Sequence, residues 1–186
     1  MATNEVLKKY GTPIVWADTT DYSSTVSGLT RTHQIDLTSV ATTASRQGAK
    51  ADLGATRAAD YIVMVGVEFA SGAISNEVVD FYWAASPSTT AGNANPGGTT
   101  GADAAYTGTA GDSLADSLKQ LTLIGSLTTT ADQTTVVQYG HIGVLSEIPR
   151  YGMPVVVNNS TGAFVADAVE MYVALIPVSD DIQAAA

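Results

Sequence analysis

The stretch Tyr61-Ile62-Val63-Met64-Val65-Gly66-Val67-Glu68-Phe69 decides the fold class of this chain. Its odd-numbered residues are all large and apolar or aromatic, and in an extended chain they fall on one face, because successive side chains point to opposite sides. This period of two predicts a β-strand with one buried face. A second strand is predicted over residues 77–84, and we expect the two to pair as an antiparallel hairpin.

Strand-like patterns continue on both sides of this pair. Further strands are predicted over residues 13–16, 31–37, 134–145, 153–157 and 169–176, the last one stopped by Pro177. The cluster from Asn158 to Gly162 has the chemistry of a β-turn, because Asn and Gly tolerate positive φ. Seven to nine strands with closely spaced turn signals indicate an all-β, antiparallel β-sandwich, with jelly-roll topology preferred.

Two segments interrupt the strand pattern. Residues 86–112 are rich in Gly, Pro, Asn and Thr and predict a long loop, which in a compact domain is often functional or an assembly contact. Leu114, Leu118 and Leu121 recur at helical spacing, which predicts one short helix near residues 113–121 with Asp112 or Ser113 as its N-cap. The expected organisation is an N-terminal arm over 1–12, a single sandwich domain over 13–179 and a C-terminal tail over 180–186.

Composition excludes several classes of protein. The 186 residues contain no Cys, which removes thiol catalysis, Cys-ligated zinc, iron–sulfur clusters and disulfides. Eight Lys and Arg stand against 18 Asp and Glu, and Lys8-Lys9 is the only adjacent basic pair, so we expect no nucleic-acid partner and no membrane partner. Only 14% of the residues are charged, against about 25% in an average soluble protein.

No constellation of residues predicts chemistry. His33 and His141 each lie within a predicted strand without a second imidazole nearby in sequence, and neither Gly-x-Ser-x-Gly nor His-Glu-x-x-His occurs. Asp18 and Asp21, like Asp103 and Asp112, are interpreted as solvated turn residues rather than calcium ligands, since the EF-hand spacing is absent. The other acidic and Asn residues of interest for glycosidase, glycosylation or tail roles are Glu5, Glu68, Glu77, Glu147, Glu170, Asp180, Asp181, Asn158 and Asn159.

These acidic and Asn residues do not form a site in sequence. The five Glu are dispersed, whereas a glycoside hydrolase needs two carboxylates facing each other across a cleft. The two Asn match the N-glycosylation pattern and are interpreted as turn residues. We therefore predict that the chain is not an enzyme, that it has no catalytic, cofactor-binding or metal-binding residue, and that it uses no cofactor.

Aromatic residues offer two interpretations. Phe81-Tyr82-Trp83, with Trp16, Tyr22 and Tyr106, could form a platform on which sugars stack. Aromatic residues within strands are more often part of a core or an interface, and we prefer that interpretation.

Several segments from about residue 60 onward carry a resemblance to a known class of proteins. The segment from Arg150 to Gly162 (RYGMPVVVNNSTG), followed by Ile176-Pro177 and Asp180-Asp181-Ile182-Gln183, resembles small structural proteins of tailed bacteriophages. The segment from Glu77 to Ser86 (EVVDFYWAAS) adds to this resemblance, which spans most of the chain from about residue 60 onward.

The resemblance implies a virion component, most like a capsid decoration (cement) protein with a β-sandwich fold. Such proteins bind the major capsid protein, sit on the outer shell as oligomers and stabilise it against the pressure of the genome. A homo-oligomer is expected, with a trimer favoured because it would suit a threefold capsid site. The chain would be made in the host cytoplasm and located in the virion. The alternative is a tail-associated or fibre-associated protein with a glycan-binding or host-recognition role.

Overall fold

The computed structural model describes residues 5–70, 75–130 and 136–183. Within these ranges the strands are β1 (Glu5–Tyr10), β2 (Ile14–Ala17), β3 (His33–Gln34), β4 (Ser45–Gln47), β5 (Ala51–Asp52), β6 (Asp60–Val67), β7 (Val78–Ser86), β8 (Ala104–Ala105), β9 (Thr122–Thr128), β10 (Gln138–Ser146), β11 (Tyr151–Asn158) and β12 (Tyr172–Gln183). Two short helices, α1 (Ser24–Ser27) and α2 (Leu114–Leu118), and a 3₁₀ turn at Pro96–Gly98 complete the described elements.

The strands form two sheets packed face to face. The first sheet has the order β10-β6-β12-β2-β3, with β1 paired to the end of β12, and the second has the order β8-β4-β11-β7-β9, with β5 paired to β11. When the short or peripheral strands β1, β3, β5 and β8 are left out, the remaining eight strands can be numbered one to eight in chain order. The first sheet then has the order 6-3-8-1 and the second has the order 2-7-4-5. This is the strand order of a jelly roll, so the predicted antiparallel sandwich is confirmed.

The predicted hairpin between the two clearest strands is wrong. Strand β6 pairs with β10 and β12 in the first sheet, whereas β7 pairs with β9 and β11 in the second. Val63 and Val65 of β6 and Phe81 and Trp83 of β7 are all buried in one shared core. The period of two identifies the buried face of a strand, but two strands with the same pattern can equally face each other across a sandwich.

The predicted helix is confirmed as α2, and the loop before it packs on the domain. Ser113 is the N-cap, and its Oγ accepts a hydrogen bond from the Asp116 N–H at 3.1 Å. The loop and helix cover the outer face of the second sheet, where Tyr106 and Leu121 form a small second core with strand residues. Helix α1 was not predicted, because this single turn buries no side chain and so has no apolar periodicity.

Strand β12 does not stop at Pro177 as predicted. The Gly11 N–H donates to the Pro177 carbonyl oxygen at 2.9 Å. In an antiparallel strand the N and C=O of one residue point to the same side. The nitrogen of Pro177, which has no hydrogen, therefore points toward the irregular residues 11–13 between β1 and β2. No ladder hydrogen bond from this nitrogen is needed there, so β12 continues past the proline.

Residues 5–10 and 178–183, near the two ends of the chain, pair with each other. The sequence predicted an arm over 1–12 and a tail over 180–186, of which residues 1–4 and 184–186 lie outside the described residues. Residues 5–10 form β1, which pairs antiparallel with the end of β12, from Tyr10 opposite Val178 to Glu5 opposite Gln183. We call residues 5–10 and 178–183 the terminal ribbon. It forms because β1 continues along the side of β12 on which β2 pairs.

One side of the sandwich is closed by two glycines. A Cβ at Gly125 of β9 would overlap the carbonyl oxygen of Ile142 in β10, and a Cβ at Gly143 would lie 2.5 Å from that of Ile124. The absence of side chains at these two positions lets the edge strands of the two sheets meet. None of the helices in the described residues is long and apolar enough to cross a membrane.

Candidate functional site

Most of the aromatic residues considered for a sugar platform are buried. Trp16, Phe81, Trp83 and Tyr106 are at most 3% exposed, and the rings of Trp16 and Trp83 pack edge to face with their centroids 5.7 Å apart. The interpretation as core residues is confirmed for these four. Trp83 therefore cannot serve as the contact of a surface glycan site.

The two histidines do not form a site together. His33 stacks on Trp16 with ring centroids 5.2 Å apart, and its Nδ1 lies 2.9 Å from the Thr32 hydroxyl. Burial, with the nearby Arg31, holds the pKa of His33 below its ordinary value. His141 is exposed on β10. In the described ranges, no group of three or more His, Asp or Glu side chains is arranged to hold a metal ion.

Asp18 is a structural residue rather than a solvated one. It is 6% exposed, and its carboxylate accepts hydrogen bonds from the backbone N–H groups of Thr20 at 2.7 Å and Asp21 at 2.9 Å and from Gln34 Nε2 at 2.8 Å. Burial opposes ionisation, but these hydrogen bonds together hold the pKa of Asp18 below its ordinary value. The expectation of a solvated turn carboxylate is therefore wrong for Asp18.

Asp103 also has partners, whereas Asp112 is exposed as expected. The carboxylate of Asp103 accepts from Arg46 Nε at 2.7 Å and from the Asp36 N–H at 3.2 Å. Arg46 thus joins β4 to the loop that precedes β8. The sequence could not reveal this pair, because 57 positions separate its members.

Asn158 is buried in the predicted turn. Its Nδ2 donates to the carbonyl oxygens of Val40, Ala41 and Gly162 at 2.8–3.3 Å, and its Oδ1 accepts from the Ser160 hydroxyl at 2.6 Å. The Asn158 amide therefore links the loop at residues 40–41 to the turn at residues 158–162 through hydrogen bonds. Because Asn158 is fully buried, an attached glycan is incompatible with this fold at that position.

The structure brings together carboxylates that the sequence left dispersed. Glu68 directly follows β6, and Glu170 lies two residues before β12. In the pairing of these two strands Gly66 lies opposite Tyr172, and continuing the same register by two residues brings Glu68 opposite Glu170. With Asp167 they line an open cavity of about 420 Å³. Burial, and then the charges of Glu170 and Asp167, raise the pKa of Glu68 above its ordinary value.

Three tyrosines lie beside these carboxylates on the outer face of the first sheet. Tyr172 is flanked by Tyr22 and Tyr139, with ring centroids 6.4 Å and 6.1 Å away respectively. Tyr139 is 48% exposed, whereas Tyr172 is buried, and burial raises the pKa of Tyr172 to about 12. We call the three tyrosines with Glu68, Asp167 and Glu170 the tyrosine patch. The sequence did not predict this patch, because its residues come together only through the pairing of β6 with β12.

The long loop is organised by one lysine. The ammonium group of Lys50 donates to Ser86 Oγ at 3.0 Å and to the carbonyl oxygens of Ser88, Thr90 and Asn93 at 2.8–3.2 Å. Partial burial lowers the pKa of Lys50, but every contact is an acceptor, so the charged form is the one that fits. The loop tip, residues 87–94, is largely exposed around this fixed centre.

The terminal ribbon exposes three large apolar or aromatic side chains to solvent. Val6, Leu7 and Tyr10 are 60%, 47% and 64% exposed. Lys8 forms an ion pair with Asp180 across the ribbon, so the predicted solvated tail includes a carboxylate with a partner. The neighbouring residues Val6 and Leu7 point to opposite faces, so both faces of the ribbon are open to solvent.

Comparisons with protein-family models, with curated proteins and with solved structures give no match to this chain.

Proposed function

We propose that this chain is a non-enzymatic structural protein of a bacteriophage virion that decorates and stabilises the capsid through contacts with the major capsid protein. The observation that carries the proposal is the jelly-roll strand order, an architecture used by viral capsid domains among others. The resemblance of residues 77–86, 150–162, 176–177 and 180–183 to small phage structural proteins supports the same assignment. The chain acts as a homo-oligomer, with a trimer favoured.

The surface chemistry supports an assembly role. A formal charge of −10 opposes non-specific aggregation of free copies, and the low density of charged residues leaves uncharged surface for specific contacts. The exposed loop tip at residues 87–94 is held in one conformation by Lys50, which reduces the entropy lost when the tip binds a partner. We assign this tip as the capsid contact.

The direct test mixes the purified chain with expanded capsids that lack it and measures co-sedimentation over a range of ionic strengths. Binding that saturates at a fixed ratio to the major capsid protein is expected. Failure to co-sediment at any ionic strength would refute the proposed function.

The loop contact is tested by point substitution rather than deletion. Deleting residues 92–101 would remove Gly97 and Thr99, which are buried, and so would disturb the fold. Thr89→Arg and Ala91→Arg change exposed tip residues, while Thr122→Arg makes the same kind of change on exposed β9. Weaker capsid binding by the two tip variants, with Thr122→Arg unchanged, is expected. Equal binding by all three variants would exclude the tip as the contact.

A second candidate function rests on the tyrosine patch. An exposed tyrosine ring beside carboxylates can stack on a sugar and accept hydrogen bonds from its hydroxyl groups, which suits a glycan-recognition module on a tail or fibre. A glycan array with Tyr139→Ala tests this role, and Trp83→Ala is unsuitable because Trp83 is buried. Glycan binding that Tyr139→Ala abolishes would favour this function over capsid decoration.

A further inference from the structure

We infer that the free edge of β1 is a self-association surface, on which β1 of a second copy of this chain adds as an antiparallel strand. Within the described part of the chain, β12 is the only strand that pairs with β1. A two-stranded ribbon is marginally stable in water by itself, and an exposed edge strand is a template for another strand. The inference names a contact for the self-association in the proposed function and rests on that part of it alone.

The hydrogen-bonding groups on the free edge can be identified. The Gly11 N–H donates to Pro177 in β12, and the backbone groups of successive residues alternate in direction. Lys9 and Leu7 therefore direct their N–H and C=O groups to β12. The groups of Val6, Lys8 and Tyr10 point to the free edge.

The charges favour a second copy of β1 as the occupant. Residues 5–10 contain two Lys and one Glu, a formal charge of +1, in a chain whose total is −10. The opposite edge of the ribbon is formed by the β12 segment with Asp180 and Asp181, so pairing two copies through that edge would place like charges together. The edge of β1 is where two acidic copies can approach at the lowest electrostatic cost.

The charges also select the register. Pairing Val6 with Lys8 of the second copy places Leu7 opposite its own equivalent on a twofold axis, and no Lys of one copy then faces a Lys of the other. Shifting by two residues in one direction would place Lys8 opposite Lys8, a like-charge pair that destabilises a sheet. Shifting in the other direction would leave Val6 opposite Val6 as the only hydrogen-bonded pair within residues 5–10. The favoured register forms a four-stranded sheet from two ribbons with four new backbone hydrogen bonds. Because a twofold contact is closed, it predicts even copy numbers, a dimer or a pair of joined trimers.

A cross-linking experiment tests the register, because the chain contains no Cys. Residues opposite each other in a non-hydrogen-bonded antiparallel pair have Cα atoms about 4.5 Å apart, within the range that a disulfide spans. Mild oxidation is expected to cross-link the full-length Leu7→Cys variant into covalent dimers. In the matched control Lys9→Cys, the equivalent residues are four positions out of register and are expected to stay uncross-linked. Cross-linking of the control alone, or of neither variant, would overturn the inference.

A second experiment uses backbone chemistry to separate edge pairing from folding. Val6→Pro removes an N–H that points away from β12, so the ribbon keeps its internal bonds, whereas Val6→Thr keeps the N–H. Native mass spectrometry is expected to show even-numbered oligomers for the wild type and Val6→Thr. Two lost hydrogen bonds should weaken association of Val6→Pro about 30-fold, the factor that corresponds to about 2 kcal/mol.

Thermal unfolding at low protein concentration checks that Val6→Pro folds. A wild type that is monomeric or only trimeric, or a Val6→Pro oligomer as stable as the wild type, would refute the β1 contact. Because no capsid is present in either experiment, these outcomes are independent of capsid binding. A chain that dimerises through β1 and fails to bind capsids would leave this inference standing and refute the proposed function.

Discussion

Lys50→Met should release the long loop while leaving the sandwich folded. The substitution keeps the length and the apolar stem of the side chain and removes the ammonium group. Ser86 Oγ and the carbonyl oxygens of Ser88, Thr90 and Asn93 then lose their common donor. The loop 86–101 should open more often in the variant. The ammonium group joins the first half of the loop to the connection between β4 and β5, and the contacts that remain are those of Ser86 Oγ with the Asn93 and Ala94 carbonyl oxygens and of the Lys50 N–H with Gly101.

The size of the effect follows from the number and exposure of these contacts. An ammonium group has three N–H bonds, so at most three of the four acceptors are satisfied at once. A hydrogen bond to a charged group contributes about 1.5–3 kcal/mol when buried. The contacts to Thr90 and Asn93 are exposed, and water can replace the lysine there. We therefore expect a loss of about 2 kcal/mol, which is about a 30-fold increase in the loop-opening equilibrium.

Hydrogen exchange of peptides that cover residues 86–101 measures this opening. Faster exchange is expected in this segment, with β6 and β7 protected as in the wild type. Lys119→Met is the matched control, because Lys119 is exposed and its ammonium group has one ion pair, to Asp116 at 2.6 Å. Such a surface pair contributes at most about 1 kcal/mol. Unchanged exchange over 86–101 in Lys50→Met would refute the role assigned to Lys50.

Three further substitutions test the buried amide, the closed edge and the tyrosine patch. Asn158→Ala should lower the free energy of unfolding in urea by about 3 kcal/mol, because buried carbonyl groups lose their donor. The control Asn159→Ala removes one exposed hydrogen bond, to Asp80, and should lower it by about 1 kcal/mol or less. Gly125→Ala should cost about 1–3 kcal/mol in the same assay, since the new methyl group would overlap the Ile142 carbonyl. Glu68→Gln should stabilise the fold at neutral pH by roughly 0.2–1 kcal/mol, because it removes a partly buried charge that Glu170 and Asp167 repel. The pKa of Glu68 in the folded state is raised above 4.5, so ionisation of Glu68 lowers the stability of the wild type as the pH rises from that value. The stability gained by Glu68→Gln should therefore vanish in thermal melts recorded well below pH 4.5. Three outcomes would each contradict the corresponding contact: equal stability of Asn158→Ala and Asn159→Ala, a free energy of unfolding of Gly125→Ala equal to that of the wild type, or an effect of Glu68→Gln that does not depend on pH.

Local patterns were sufficient where a residue's environment depends on its neighbours in sequence. The alternation around Val63 and Val65 identified a strand and its buried face. The N-cap at Ser113 depends on residues three positions away, so α2 was predicted close to its observed bounds. The pattern failed at Pro177, because whether a strand tolerates proline depends on what lies beside its nitrogen.

The candidate surfaces depend on contacts between distant residues. The Tyr139 and Tyr172 rings meet above Gly66 of β6, which pairs with both residues and has no side chain to separate them. Glu68 and Glu170 are 102 positions apart and become neighbours through the same pairing. The partners of Lys50 lie 36–43 positions along the chain, in a loop whose composition gave no indication of a fixed conformation.

The sequence by itself determined that this protein is a β-sandwich with one capped helix, a long Gly-rich and Thr-rich loop and no thiol chemistry. These features follow from side-chain period, cap chemistry and composition, which are local properties. Only the tertiary structure decided which strands pair, that the two chain ends form a ribbon with a free edge, and that tyrosines and carboxylates share one face. Pairing partners are selected by packing across the whole core, and a period of two is the same for every partner a strand could have.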